Sequence, residues 1–181
     1  MKKLITLLTT LFIMTGVATA ADNTITLKTI KDKKIHIIGT EKGFNIPQYK
    51  GKIMFIEFWG THCPPCLISI PHYIELQKKY KNELAILAVE VQATPKDKLK
   101  AFAKAKGINY DVVGYKDGYT FVEYITQRAD WTGSIPLLLI LDHEGAVQIV
   151  QPGLIPRENL EKVIQDMIAR KKNGAKRINA K

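Results

Sequence analysis

Residues 53–67 read IMFIEFWGTHCPPCL, and the parsing of this run settles the architecture. The first six residues are apolar except for Glu57, which is the pattern of a strand buried on both faces of a sheet. A short turn follows, and then Cys63-Pro64-Pro65-Cys66. Proline is tolerated in a first helical turn, where backbone N–H groups lack partners anyway. A strand therefore hands over to a helix at the only two cysteines in the chain. That helix is expected to begin at Cys63 or Pro64 and run towards Tyr80, with a kink at Pro71. Glu57 is the anomaly, because a buried carboxylate is costly unless it is paired or neutral.

Four chemistries compete for the cysteine pair. A structural staple is disfavoured, since so short a loop removes little chain entropy and adds strain. Haem attachment requires histidine directly after the second cysteine, and Leu67 stands there. Zinc would need two more ligands. His62 and His72 are near in sequence, but there is no second cysteine pair, and His62 adjoins Cys63 rather than standing at ligand spacing. A redox dithiol supplies a mechanism. Cys63 at the helix start meets free N–H groups and the positive end of the helix dipole, which favour a thiolate. Cys66 lies one turn deeper on the same side, placed to attack a mixed disulfide formed at Cys63. Pro64 and Pro65 restrict the backbone and remove two donors from the first turn, which tempers the stabilisation of the thiolate. Glu57 then has a purpose: its pKa rises by desolvation, and it takes and returns the proton of Cys66 as a general base. The competing reading turns Glu57 to the rim, paired with a lysine. His62 is read as an exposed loop residue beside the site.

Working outward, residues 24–38 (TITLKTIKDKKIHII) form two short strands around a charged turn. Residues 41–52 read as a loop. Residues 84–91 are a second apolar strand. Thr94-Pro95-Lys96-Asp97 has the form of a capping box opening a helix that Gly107 stops. A further helix spans about 118–127. Residues 137–141 and 146–151 form a hairpin across Asp142-His143-Glu144-Gly145. Pro156 opens a last helix with Leu160, Val163, Ile164, Met167 and Ile168 on one face. Strands alternating with helices, then a hairpin and a helix, imply a three-layer α/β sandwich around a mixed sheet. The two strands joined through the first long helix should run parallel.

The N-terminus, MKKLITLLTTLFIMTGVATAADNT, has two lysines, an apolar core and Ala18-Thr19-Ala20, the parts of a signal peptide cleaved after Ala20. The alternative is an uncleaved anchor. Its apolar core would reach only about 21 Å as a helix, against a hydrocarbon layer of about 30 Å. Residues 1–20 are thus expected to be a signal, residues 21–169 the single domain, and residues 170–181 (RKKNGAKRINAK) a basic disordered tail. The net charge of +10 suggests nucleic acid until it is located. Eight of the cations fall in residues 1–20 and 170–181, leaving a nearly neutral body without the aromatic interleaving of a nucleic-acid surface. An exported protein in an oxidising compartment, the periplasm, is the expectation, and so is the absence of nucleic-acid partners.

The stretch IMFIEFWGTHCPPC resembles the strand-Phe-Trp-x-x-x-Cys-x-x-Cys signature of the thioredoxin superfamily. GSIPLLLILDHEG resembles the later segment in which a cis-proline faces the active site. Within the superfamily the chain is most similar to the TlpA/ResA/CcmG branch of exported, often membrane-tethered thiol–disulfide oxidoreductases, through FWGTHCPPC, SIPLLLILDHEG and the extra segment from about Pro95 to Trp131. The likeness covers roughly residues 24–169. It implies a thioredoxin-like α/β sandwich with an N-terminal β-hairpin and a helical insertion, Cys63 as nucleophile, Cys66 as resolving thiol, Glu57 as a buried acid and Pro136 as the cis-proline. It also implies substrate contacts at Trp59, Ile135, Pro64 and Pro65. His62 replaces the tryptophan usual before the first cysteine, and Ser69 stands where cytochrome-maturation members often carry glutamate.

The expected function is a periplasmic reductant of selected protein disulfides. No metal and no cofactor is called for. The partners are proteins with disulfides or thiols, an apocytochrome c among them, and a membrane thiol reductase as electron donor, with the protein a monomer. The alternatives are a disulfide oxidase or isomerase, or a copper-delivery protein using the cysteine pair.

Overall fold

A computed structural model of the protein describes residues 24–179, so the segment read as a signal peptide lies outside the described residues. The elements are β1 (Thr24–Lys28), β2 (Lys34–Gly39), β3 (Phe44–Asn45), β4 (Ile53–Trp59), α1 (Pro64–Lys79), β5 (Leu84–Glu90), α2 (Lys96–Ala105), β6 (Asp111–Val113), α3 (Tyr115–Ala129), β7 (Leu137–Leu141), β8 (Val147–Pro152) and α4 (Arg157–Asn179). Five strands form a mixed sheet in the order β6-β5-β4-β7-β8, and β1-β2-β3 form a smaller sheet. β4 runs parallel to β5, to which α1 connects it, and antiparallel to β7.

β4 is central, and all seven of its residues are buried. Its side chains alternate between two cores, as the period of two requires. Phe55 and Trp59 join Cys66, Ile70 and Leu76 of α1, Leu99 of α2 and Leu160 and Ile164 of α4. Met54, Ile56 and Phe58 join Phe121 and Ile125 of α3 together with Leu27, Ile35 and Ile37 of the small sheet. Each large side chain so buried stabilises the fold by about 1.5–3 kcal/mol, which is how the strand tolerates one carboxyl.

The small sheet is tied to both edges of the large one, through bridges from Thr29 to Val113 and from Gly43 to Ala146. The second junction depends on Gly145. Its φ is 86°, and a Cβ there would stand 2.0 Å from the Phe44 carbonyl oxygen. The backbone must pass this closely because Phe44 N–H donates to Gly145 O at 2.9 Å.

Several expectations are corrected. β6 was not foreseen, because three residues carry too little periodicity; its pairing with β5 makes it a strand. The presumed loop 41–52 contains β3 and a 3-10 turn at Pro47–Tyr49. Thr94 does not cap α2: the N-cap is Pro95, without a side-chain cap bond, and the Thr94 hydroxyl goes elsewhere. The tail expected to be disordered from residue 170 instead continues α4 to Asn179. Its lysines, arginines and alanines are strong helix formers. Lys171 Nζ also donates to Gly51 O at 2.6 Å, which anchors the extension to the body.

Candidate active site

The two cysteines form a disulfide at the tip of α1, with their Cα atoms 5.2 Å apart. Cys63 is the N-cap of the helix, in extended backbone at φ −103° and ψ 104°, and its sulfur accepts the Cys66 N–H at 3.3 Å. It thus occupies the position where the first-turn N–H groups are free, as its sequence context requires. Pro64 and Pro65 have no N–H to offer, so the Cys66 amide is the first backbone donor of the helix. Cys63 is 6% exposed and Cys66 fully buried. The asymmetry is the expected one, but Cys63 is more covered than a nucleophile at a helix tip was expected to be. The Ile135 carbonyl oxygen approaches its sulfur at 3.8 Å, so the chain segment before Pro136 roofs the site.

Glu57 lies on the α1 side of β4 and is 1% exposed, which excludes the rim reading. Its carboxyl is pushed up to about 8, by burial above all; hydrogen bonds with Ser69 and Tyr73 act in the opposite direction. The Tyr73 hydroxyl is in turn held well above its usual range by burial and by the nearby carboxylate.

Ser69 connects Glu57 to the second cysteine. Its Oγ is 2.8 Å from Glu57 Oε1 and 2.8 Å from the Cys66 carbonyl oxygen. One hydroxyl proton cannot satisfy both acceptors. With Glu57 neutral, the acid O–H donates to Ser69, and Ser69 donates to the Cys66 carbonyl. With Glu57 ionised, Ser69 turns its proton to the carboxylate. Sequence reasoning marked Ser69 only as a departure from relatives. Its spacing from Cys66, three residues along a helix, was the signal that places its hydroxyl over the Cys66 carbonyl.

The Ile135–Pro136 peptide is cis, as the resemblance implied. Pro64 is exposed and Pro65 half-buried, and the neighbouring Ile68 is 52% exposed, so an apolar rim borders the dithiol. Trp59 does not belong to that rim. The residue is 1% exposed and its ring packs 5.7 Å from that of Phe102, so the expectation of a substrate contact there is corrected: the indole is part of the core beneath the loop. Among the described residues no cluster of three or more His, Cys, Asp or Glu could hold a metal ion, and no helix is long and apolar enough to cross a membrane.

The sequence matches the AhpC/TSA family over residues 24–150. Thiol-disulfide oxidoreductase ResA of Geobacillus kaustophilus is 29% identical over 123 residues, covering 67% of this chain and 67% of that protein. ResA of Bacillus thuringiensis subsp. konkukian is 31% identical over 127 residues, 68% of each chain. The crystal structure of StoA from Bacillus subtilis has a TM-score of 0.57 at 18% identity, covering 79% of this chain and 97% of that one, and speaks for the fold alone. The matched region runs from the small sheet through β4, the dithiol and the cis-proline, and on these grounds the chain belongs to the AhpC/TSA family as a thioredoxin-like thiol–disulfide oxidoreductase.

Proposed function

We propose that the protein is an exported reductant of selected protein disulfides, working as a monomer in the periplasm. Its clients are proteins with a cysteine pair, an apocytochrome c haem-binding pair among them, and a membrane thiol reductase returns it to the dithiol. Residues 1–20, read as a signal peptide, support export. The names of the ResA relatives support exchange with thiols and disulfides.

In the proposed cycle the Cys63 thiolate attacks one sulfur of the client disulfide, and the other client sulfur leaves and is protonated. A mixed disulfide joins Cys63 to the client. Glu57, ionised, takes the proton of the Cys66 thiol; the Cys66 sulfur attacks Cys63 Sγ, the bond to the client breaks, and the second client thiol is released. The protein ends with the Cys63–Cys66 disulfide, and electrons from the donor restore it. The backbone of Ile135 beside Pro136, with Pro64 and Pro65 opposite, receives the client's extended segment.

One observation carries the direction of electron flow. The two prolines leave the Cys66 N–H as the donor to the Cys63 sulfur in the first turn. A strong oxidant is one whose reduced form is stabilised, and a thiolate with so few donors is not. The test is to trap the redox state of the pair in cells and measure its potential. Mostly reduced thiols, with a potential well below the roughly −120 mV of a strong periplasmic oxidant, support the reading. A mostly oxidised pair near that value overturns it in favour of an oxidase.

A further inference from the structure

Exchange through Cys63, Cys66 and Glu57 leaves a second buried acid unused. Glu90 ends β5, opposite Trp59 in the sheet, and is fully buried. Both of its oxygens accept hydrogen bonds. Oε1 takes the Gln92 N–H at 2.9 Å and the Thr94 hydroxyl at 2.9 Å, and Oε2 takes the Thr94 N–H at 3.1 Å. The turn that wraps the acid holds Ala93 at φ 57°, a conformation that costs a non-glycine residue roughly 1–2 kcal/mol.

The proton directions follow one after another from this end. Two backbone N–H groups and the Thr94 hydroxyl all donate to the Glu90 oxygens, which act there as acceptors, so Thr94 commits its single hydroxyl proton to Glu90. Thr94 Oγ1 is 2.8 Å from Thr61 Oγ1, and with the Thr94 proton committed, Thr61 must be the donor. The Thr61 proton is then committed as well. Its remaining contact, 3.0 Å to His62 Nδ1, requires the ring N–H to donate. His62 is fixed at its main chain too, where its N–H donates to Gln92 Oε1 at 2.8 Å. Gly60 leaves the room this needs, since a Cβ there would stand 2.2 Å from the Gln92 side chain.

We propose that Glu90, Thr94 and Thr61 are positioning residues that hold the exposed His62 ring with its proton on Nδ1, so that the free lone pair lies on Nε2 of the residue next to Cys63 in the chain, where it accepts the proton of an incoming client thiol. The proposal rests on the exchange reading. When a reduced client meets the oxidised protein, the S–H proton passes to Nε2 and the client sulfur bonds to Cys63 Sγ. The Cys63–Cys66 bond breaks, and Cys66 leaves as a thiolate that takes its proton from Glu57. In the opposite direction the imidazolium returns its proton to the departing client sulfur. Nδ1–H donates to Thr61 in both protonation states, so the relay keeps the ring oriented throughout.

The test observes the ring nitrogens of His62 by ¹⁵N NMR in the full-length oxidised protein, at a pH where the imidazole is neutral. The expected result is a proton on Nδ1 in the wild type. In Thr61→Val it should move to Nε2, the form that a free imidazole side chain favours in water. Reduction of a disulfide-bonded two-cysteine peptide by the dithiol protein, which passes through the same step in reverse, should slow about 10²-fold in His62→Gln, the lower end of what a positioned acid–base group contributes, and in the same direction but less in Thr61→Val, with both variants melting as the wild type does. A proton on Nε2 in the wild type, a tautomer unmoved by Thr61→Val, or full peptide activity in His62→Gln would overturn the proposal. A wild-type protein that does not exchange with the peptide at all would instead overturn the exchange reading beneath it.

Discussion

Replacing Glu57 with glutamine separates the cost of this acid from its use. The carboxyl sits at about 8 in the folded protein against its ordinary 4.5. Between those values the folded state holds a proton that the unfolded chain has released, so stability is fully present below about pH 4.5 and is lost as the pH rises towards 8. At 1.36 kcal/mol per unit, the loss is about 1 kcal/mol at pH 5, about 3 at pH 7 and about 5 above pH 9. Glutamine is neutral throughout and escapes this loss. Its own packing and hydrogen-bonding cost is independent of pH and shifts the whole curve by a constant. The assay is denaturant unfolding of the oxidised wild type and Glu57→Gln from pH 5 to pH 9, with the difference plotted against pH. All other titrating groups are common to both proteins and cancel. The difference should change in favour of glutamine by about 4 kcal/mol across the range. A flat difference would refute the argument, because it would mean that Glu57 is ionised in the folded protein at pH 5 and cannot be the proton carrier at neutral pH.

Three further substitutions probe the Glu57 network and the junction of the two sheets. Tyr73→Phe removes a hydrogen bond that holds the Glu57 carboxyl down, so a carbon-13 titration of Glu57 should find its midpoint higher than in the wild type; a lower midpoint would contradict the network. Gly145→Ala puts a Cβ against the Phe44 carbonyl at positive φ and should cost roughly 2–5 kcal/mol in urea unfolding. Gly133→Ala, also at positive φ but with nothing within 4 Å, should lose only about 1–2 kcal/mol; equal losses would mean that the junction of the two sheets is not tight.

The parts of the molecule legible in the sequence are those written in local pattern. β4 announced itself by an unbroken apolar run, α1 by cysteine and proline at its start, and the β7–β8 hairpin by Asp142-His143-Glu144-Gly145. Glu57 stood out because it interrupted the strand. Glu90 did not, although it is as deeply buried: it closes an apolar strand and looks like the first residue of a loop. Its burial is made by residues 91–94 folding back over it, which no periodicity records. The covering of Cys63 was hidden for a similar reason, since Ile135 lies 72 residues away in the chain. Trp59 misled because an aromatic next to a reactive loop reads equally as a surface platform or as the floor of the core, and the alternation of β4 decides for the floor. The helical tail was concealed by its charge, which suggests a frayed end unless the propensities of lysine, arginine and alanine are weighed together with the anchor at Gly51.

The central claim is that Cys63 forms the bond to the client and Cys66 breaks it. The direct measurement is covalent trapping. The Cys66→Ser protein is expressed in its native setting, free thiols are blocked by acid quench and alkylation, and reductant-sensitive adducts are read by mass spectrometry. The account predicts client proteins joined through Cys63, absent from a Cys63→Ser control. Adducts joined instead through Cys66 in the Cys63→Ser protein, or none in Cys66→Ser while the wild type exchanges freely, would contradict it.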